Sequence, residues 1–384
     1  MKTHLTPIFF LLLIFSCAEE KPPEYGQAVK NPLKTLDIEI AIQDTSRVLA
    51  SDYFSEMRAV PLENKIPMKG AGLVKICNNT LIAKDRDDVL YSYTMEGKFI
   101  AKYGKKGKGP LELEGRISSW DVHSGNGEVY AVSGNRLIVF NTMLEPKKEY
   151  PIEEGRSYTM CIAMDGKIIL YTPAENEPIN ERYGISKFYS LNLENGDLSL
   201  ISEKRLSTPT PFLINLPRVY TLEDRYIIKY AFVDTVFRTK DFKDFEPIHY
   251  IKSEEVEKGE YPGLQLTDHY LFMLYDKLPN SYILIQDRNT GEVRTTNNYI
   301  NIKEKAGYRG LAVSATCDRF RFDGRNYFKD DNGDEYLIDV VMALEFLDKI
   351  GGCDGSDFMG LDLDELKSDI DESDNPILLF GKVK

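Results

Sequence analysis

The sequence predicts an all-β fold: a six-bladed β-propeller closed by its N- and C-terminal strands, with a short helical insertion in the last blade. The first observation is a repeat in which an apolar strand, a polar turn and a second strand recur about every 48 residues. The recurring strands begin at Val89, Leu137, Phe188, Thr235 and Tyr282. A β-rich repeat of roughly 40 to 50 residues is typical of propellers, in which each repeat forms one four-stranded blade.

The hairpin turns are the second observation. Gly97, Gly196 and Gly291 each lie within a short polar turn, where a left-handed backbone costs glycine little. A further strand pair precedes each hairpin, for example residues 117–123 and 128–133. The pair and the hairpin together supply the four strands of a blade.

The third observation is the position of the last strand. The next repeat is due near residue 330, but the sequence there is polar, and a clean strand follows only at residues 376–383. We therefore expect an acidic insertion inside the last blade, at about residues 323–375. Residues 53–62 are expected to supply the missing outer strand, because pairing the two termini removes an open sheet edge.

Two short helices are expected within this insertion. Val340, Leu344 and Leu347 share one helical face, which ends before two glycines. Asp362 and Glu365 match a capping pattern ahead of a second helix.

The N-terminus predicts a targeting segment and a tether. A short basic start precedes an apolar run that is too short to span a bilayer and ends at a serine before Cys17. Residues 1–16 are interpreted as a lipoprotein signal peptide, with Cys17 as the site of lipid attachment. The alternative is an ordinary secretory signal with an incidental cysteine. Residues 17–50 are expected to be lipid anchor and tether, and residues 51–384 to form the propeller.

Charge and cysteine content exclude several classes of function. The net charge is −13, and residues 323–375 alone carry 17 acidic and 4 basic residues, so nucleic acid is not an expected partner. The cysteines do not match a known metal or redox motif. Cys77, Cys161, Cys317 and Cys353 form no CxxC pair, so neither a zinc knuckle nor a thioredoxin-like motif is supported. Three of them lie in apolar strand contexts and are interpreted as core residues. A disulfide is permitted by the compartment but not indicated, and no metal or cofactor is expected.

Three motifs resemble functional sites but are better explained as structural segments. Residues 104–109 are rich in glycine and lysine like a phosphate loop, but Pro110 and more strand follow instead of a helix. Residues 351–355 mimic a nucleophile elbow but follow a helix rather than a strand. The aspartates of residues 362–374 lack the glycine and the closing glutamate of an EF-hand loop.

One set of residues predicts a binding site. A basic residue recurs just before each predicted inner strand, with Gln265 in its place in the fifth blade: Lys69, Arg116, Arg156, Arg218 and Arg309. Inner strands of a propeller begin on one face around a central channel, so these residues are expected to form a cationic ring. Trp120, Tyr158 and Tyr220 are expected nearby for stacking, and arginine forks suit carboxylate or sulfate groups. The alternative is that each cation pairs locally with an acidic residue or points to solvent.

Three segments carry a resemblance to a known group: Gly97 to Pro110, Asp234-Thr235-Val236-Phe237-Arg238, and Asn375 to Lys384. In these the chain resembles the six-bladed β-propeller lipoproteins of Bacteroidetes, which are similar in style to NHL-repeat propellers. The group often has Gly-Glu after the Gly-Pro, where this chain has Leu111-Glu112. The resemblance implies the propeller fold and an outer-membrane lipoprotein, facing either the cell surface or the periplasm.

The sequence leaves three functions open. The first is a monomeric, lipid-anchored binding module for a ligand such as an anionic glycan, or for an envelope protein that docks on the acidic insertion. The second is a propeller hydrolase or lyase with a carboxylate or metal site at the channel mouth. The third is a purely structural scaffold. Function cannot be read from the fold; converging acidic or histidine side chains would favour the enzyme, and arginine and lysine the binding module.

Overall fold

The computed structural model describes a six-bladed β-propeller, which confirms the predicted fold class. The described residues are 34–153, 158–173, 183–207, 217–222, 225–230, 233–252, 263–277, 280–301, 306–307, 310–314, 317–353 and 359–384. No helix among them is both long enough and apolar enough to cross a membrane.

Blades 1 to 3 each contain four antiparallel strands, which follow one another in chain order from the axis outwards. Blade 1 consists of Ala71–Cys77, Thr80–Asp85, Leu90–Thr94 and Phe99–Tyr103. Blade 2 consists of Ile117–His123, Glu128–Ser133, Arg136–Asn141 and Pro146–Pro151. Blade 3 consists of Met160–Met164, Lys167–Thr172, Tyr183–Asn192 and Leu198–Ser207.

Blades 4 to 6 carry additions to this plan. Blade 4 consists of Pro217–Leu222, Arg225–Tyr230, Thr235–Thr239 and Glu246–Lys252, with Lys34–Asp37 as a parallel fifth strand on its outer edge. Blade 5 consists of Gly263–Leu266, Tyr270–Lys277, Asn280–Asp287 and Val293–Asn301, extended by the short strand Ala306–Gly307. Blade 6 consists of Asn326–Lys329, Glu335–Val341, Ile377–Val383 and Phe54–Pro61.

The N- and C-terminal strands close the ring in blade 6. Phe54–Pro61 pairs antiparallel with Ile377–Val383, from Phe54 opposite Val383 to Pro61 opposite Ile377. The backbone N–H of Lys384 extends the ladder by donating to the carbonyl of Tyr53 at 2.9 Å. This pairing confirms the predicted closure and covers the strand edges that an open ring would expose.

The insertion in blade 6 is shorter than predicted. Residues 330–334 form a tight turn between the first two strands of the blade, in which the Asp330 carboxylate accepts from two backbone N–H groups at 2.9 Å. The insertion therefore runs from residue 342 to 376, not 323 to 375. It contains the helices Ala343–Ile350 and Leu363–Asp369, and Asp362 caps the second as expected. Val340 lies in a strand, not on a helix.

A hairpin of two strands, Leu311–Ser314 and Cys317–Phe322, lies between blades 5 and 6. It packs in one hydrophobic cluster with both insertion helices and with the closing strands. Cys317 in the hairpin and Cys353 after the first insertion helix form a disulfide. The sequence did not indicate this bond, because the two cysteines are 36 residues apart.

The segment predicted as a tether is, from residue 34 onwards, part of the fold. After the strand on blade 4, the short helix Ile38–Ala41 and the 3-10 helix Ala50–Asp52 follow. Single bridges join Thr45 to Thr295 of blade 5 and Leu49 to Ala312 of the hairpin. The segment therefore follows the rim of blades 4 to 6. The proposed signal peptide and Cys17 lie outside the described residues.

The two faces of the propeller differ. Most neighbouring inner strands contact one another around the axis, and each inner strand begins on what we call the loop face. That face also carries the connections from blade to blade and the blade 6 insertion. On the opposite face the strands are joined by tight turns such as Asn78-Asn79, both with positive φ. Long loops on a rigid scaffold are where binding residues concentrate, so the loop face is the place to look for a site.

Candidate functional site

A cavity of about 200 Å³ opens on the loop face between blades 5 and 6. Five polar side chains line it: Arg218, Gln265, Asp276, Asp323 and Arg325. The rest of its wall is mostly apolar and includes Phe54, Leu264, Phe272, Ile283, Leu311, Phe322 and Leu337. An apolar concave site with a few converging polar groups is the usual form of a ligand pocket.

The polar groups of the cavity lie close together because most of them stand at or near the first residues of inner strands. Arg218 is the second residue of the inner strand of blade 4, Gln265 lies in the inner strand of blade 5, and Arg325 directly precedes the inner strand of blade 6. Because all three strands begin on the loop face, three segments distant in sequence contribute to one site. Asp276 reaches it from the end of the second strand of blade 5.

Arg325 is held in place by its neighbours. Its Nε donates to Asp323 Oδ2 at 2.6 Å, and Gln265 Nε2 donates to its backbone carbonyl. Burial of the guanidinium favours loss of its charge, but Asp323 outweighs this effect and raises the pKa of Arg325. The Arg325–Asp323 ion pair thus contributes no net charge to the cavity wall.

A buried carboxylate lies behind this pair. Asp339 is 6% exposed and does not line the cavity. Its Oδ2 accepts from the backbone N–H of Asp323 at 3.2 Å. Burial raises the pKa of Asp339, and the neighbouring Asp323 charge adds to the effect.

Arg218 supplies a cation without a matching anion. It is exposed, and within the described part of the chain no acidic side chain forms an ion pair with it. Arg218 lies close to the hydroxyl of half-buried Tyr220; burial raises the pKa of Tyr220, and Arg218 opposes that rise. A Cβ on Gly263 would lie 3.6 Å from Arg218 Nη1 and 3.3 Å from the Cβ of Leu274. The missing side chain at Gly263 therefore leaves room beside the guanidinium.

The predicted cationic ring is only partly assembled at this cavity. Lys69 is exposed and pairs with Asp87 at 2.7 Å, as the local-pairing alternative expected. Arg116 is exposed next to blade 2 and does not line the cavity. Arg156 and Arg309 lie outside the described residues.

The sequence missed Arg325 as the basic residue of blade 6. The strand that follows Arg309 belongs to the hairpin, not to the ring of inner strands. Arg325 stands directly before Asn326–Lys329, so it occupies the position that the sequence assigned to Arg309. The sequence Asp323-Gly324-Arg325 before a short strand could have indicated this position. It was overlooked because residues 323–375 were assigned to the insertion.

Two of the three aromatic residues predicted for stacking are buried elsewhere. Trp120 is 6% exposed and packs between blades 1 and 2, with Lys75 Nζ 5.4 Å from its ring centroid. Tyr158 is 1% exposed and packs edge-on against Tyr189, with ring centroids 6.0 Å apart. Strand alternation turns these two rings into the packing between blades, and neither lines the loop-face cavity.

The weaker motifs have structural explanations. In the glycine-rich loop, the backbone N–H of Gly109 donates to Glu112 Oε2 at 2.9 Å, so a carboxylate of the chain itself occupies the cradle. Cys353 is bonded to Cys317 and cannot act as a nucleophile in that state. Among the residues that the structure describes, no cluster of three or more histidine, cysteine or acidic side chains could hold a metal ion.

Comparisons with known proteins identify the family. The model of a domain of unknown function, DUF4934, matches residues 33–382, so the chain belongs to that family. A protein of Bacteroides fragilis whose name describes it as exported is 19% identical, with a TM-score of 0.63 over 92% of this chain and 100% of that chain. A DUF4221 member from Bacteroides vulgatus is 13% identical, with a TM-score of 0.50 over 86% of this chain and 97% of that chain. At these identities the two structures support the fold alone. A search of curated proteins gave no match.

Proposed function

We propose that this DUF4934 propeller is a lipid-anchored binding module of the cell envelope, and that its loop-face cavity holds a ligand with an anionic group. The observation that carries the proposal is Arg218, an arginine at the mouth of a cavity with no acidic partner among the described residues. An arginine fork recognises carboxylate and sulfate groups through two parallel hydrogen bonds.

Three observations support the envelope location. The apolar run near the N-terminus and Cys17 match a lipoprotein signal. The Cys317–Cys353 disulfide suits an oxidising compartment. The similar B. fragilis protein is described by its name as exported. A Cys17→Ala variant tests the anchor: the protein should move from the membrane fraction to the soluble fraction, and retention in the membrane would count against lipidation.

A hydrolase or lyase is the second candidate, because Asp339, with its raised pKa, lies next to Asp323 behind the cavity wall. A raised pKa favours the protonated form of a carboxyl group, and that form suits a general acid. Binding is favoured over this candidate because Asp339 does not line the cavity and Asp323 is engaged by Arg325.

Isothermal titration of matched anionic and neutral compounds tests the binding function. The anions are glucuronate, N-acetylglucosamine 6-sulfate and 3-phenylpropionate; the neutral counterparts are glucose, N-acetylglucosamine and 3-phenylpropanol. We expect at least one anion to bind more tightly than its counterpart and to lose that advantage in Arg218→Ala. Arg116→Ala is the matched control, since it removes an exposed arginine from the same loop-face position of blade 2. Equal binding of anion and counterpart, or no effect of Arg218→Ala, would contradict the proposal.

A further inference from the structure

We infer that the ligand of the loop-face cavity is a compact amphipathic anion, with a carboxylate at Arg218 and an apolar body inside the cavity, rather than a saccharide. This inference rests on the proposed function and specifies the chemical class of its ligand. It concerns the part of the ligand that does not contact Arg218, because an anion-binding arginine alone does not determine that part.

The wall of the cavity is the first reason. Leu264, Phe272, Ile283 and Leu311 line it and belong to the hydrophobic core, and about half of the surface that lines the cavity is apolar. Sugar hydroxyls placed against the apolar part of the wall would lose their hydrogen bonds to water without gaining partners. An aromatic ring or a short acyl chain meets no such cost and removes apolar surface from water.

The size of the cavity is the second reason. Its volume of about 200 Å³ is below the roughly 300 to 1,000 Å³ of pockets that enclose drug-sized ligands. The space therefore fits a single ring or a short chain, and not an oligosaccharide.

The distribution of polar groups is the third reason. Of the two arginines, Arg325 is already compensated by Asp323, and Gln265 is engaged by the Arg325 carbonyl. Asp276 accepts from Ser281 Oγ at 2.6 Å. Gln265 Oε1 has no hydrogen-bond partner but is buried within the protein. Arg218 is therefore the one cation of the cavity that no described acidic side chain compensates, so the site is suited to a monoanion.

Titration calorimetry of the whole protein with two monoanions distinguishes the alternatives. 3-Phenylpropionate carries a carboxylate on an apolar body, and glucuronate carries the same charge on a polar one. We expect 3-phenylpropionate to bind at least tenfold more tightly than glucuronate. Arg218→Ala should weaken 3-phenylpropionate at least tenfold, and Arg116→Ala should leave it unchanged.

A second variant tests the cavity rather than the charge. Leu274 lines the cavity beside Gly263 and Arg218, so Leu274→Trp should fill the space and weaken 3-phenylpropionate at least tenfold while Arg218 is intact. Equal or tighter binding of glucuronate would overturn the inference and leave the proposed function standing. Failure of 3-phenylpropionate to bind while N-acetylglucosamine 6-sulfate binds through Arg218 would overturn the inference alone. Failure of all three anions to bind, or binding unchanged in Arg218→Ala, would overturn both. Unchanged binding of 3-phenylpropionate in Leu274→Trp would overturn the inference alone.

Discussion

In blades 1 to 3 a charge contact ties the inner strands together, whereas in blades 4 to 6 the inner strands begin around a cavity. Lys75 of blade 1 donates to Asp121 Oδ1 of blade 2 at 2.5 Å, and Asp121 Oδ2 accepts from the backbone N–H of Ala163 in blade 3 at 2.7 Å. In the other half, Gln265 and the Arg325–Asp323 pair join blades 5 and 6, and Arg218 remains without an acidic partner among the described residues.

The two halves also differ in what surrounds them. Blades 1 to 3 keep to four strands each, while blades 4 to 6 bear the N-terminal segment on their rim, the hairpin, the helical insertion and the disulfide. Blades 4 to 6, which we call the irregular half, therefore hold the elements that do not belong to the repeat. The repeated blades provide the scaffold, and the cavity forms where additional elements pack against it.

Shortening a buried side chain in the closing strand of blade 6 should lower the stability of the protein more than any other change considered. Leu379 is fully buried opposite Ala59, so Leu379→Ala should lower the free energy of unfolding by about 2–5 kcal/mol through lost burial and a cavity. Leu200, 52% exposed on blade 3, is the matched control, and Leu200→Ala should cost less than about 0.5 kcal/mol. Urea unfolding measures both; equal midpoints for the two variants would show that closure in blade 6 does not limit stability.

The cysteines offer a second contrast between the halves. Cys77 and Cys161 in blades 1 and 3 are buried and free, whereas Cys317 and Cys353 are bonded. Replacing both bonded cysteines by alanine should lower stability by about 2–4 kcal/mol, because the unfolded chain is no longer cross-linked. A reducing agent should destabilise the wild type by a similar amount and leave the double variant unaffected. A wild type that unfolds identically with and without reductant would rule out a stabilising role for the bond.

A buried lysine in blade 4 should make the stability of the protein depend on pH. Lys229 in blade 4 donates to the Tyr230 carbonyl at 2.6 Å and the Val233 carbonyl at 2.5 Å, and burial lowers its pKa to about 8. Below pH 8 both the folded and the unfolded chain carry this charge, so the folded state bears the full cost of burying it. Between pH 8 and the ordinary value of 10.5 only the unfolded chain stays protonated, so the cost diminishes as the pH rises.

The stability of Lys229→Met relative to wild type should therefore fall by about 2 kcal/mol between pH 7 and pH 9.5. Lys75→Met is the comparison in the regular half. It should destabilise the protein by about 2 kcal/mol at pH 7, because it leaves the partly buried Asp121 carboxylate without its cation. Chemical unfolding at both pH values measures these differences, and a Lys229→Met difference that does not change with pH would contradict a charged, buried Lys229.

The smallest effect on stability is expected at the site itself. Arg218 is exposed and forms no ion pair in the described structure, so Arg218→Ala should change the free energy of unfolding by less than about 0.5 kcal/mol, as should Arg116→Ala. A thermal unfolding scan checks this. A large loss in Arg218→Ala alone would mean that Arg218 supports the fold rather than binding a ligand.

The repeat and the closure were predictable because their signals are local. Turn glycines, apolar alternation and the isolated strand at residues 376–383 specify blades without reference to distant contacts. The N-terminal segment also carried a signal, since Leu36 and Ile38, which the structure buries, alternate with polar residues. Such alternation indicates a segment with one buried face rather than a tether, and here it covers the strand that holds Leu36 and the start of the helix at Ile38.

The site was less predictable because it depends on register and on contacts between distant segments. A β-bulge between Ile117 and Ser119 shifts the alternation ahead of Trp120, and such a shift exchanges the faces to which side chains point. The hairpin at 311–322 mimics an inner strand pair, so the sequence assigned Arg309 where the structure has Arg325. The disulfide and the cavity join segments whose proximity only the folded chain provides.

The most direct test of the binding site is a crystal structure of the protein grown with 3-phenylpropionate. We expect the carboxylate to lie within hydrogen-bonding distance of Arg218, with the phenyl ring inside the cavity near Phe272 and Leu311. An empty cavity at saturating ligand, or a ligand bound on another part of the propeller, would contradict the assignment of the loop-face cavity as the binding site.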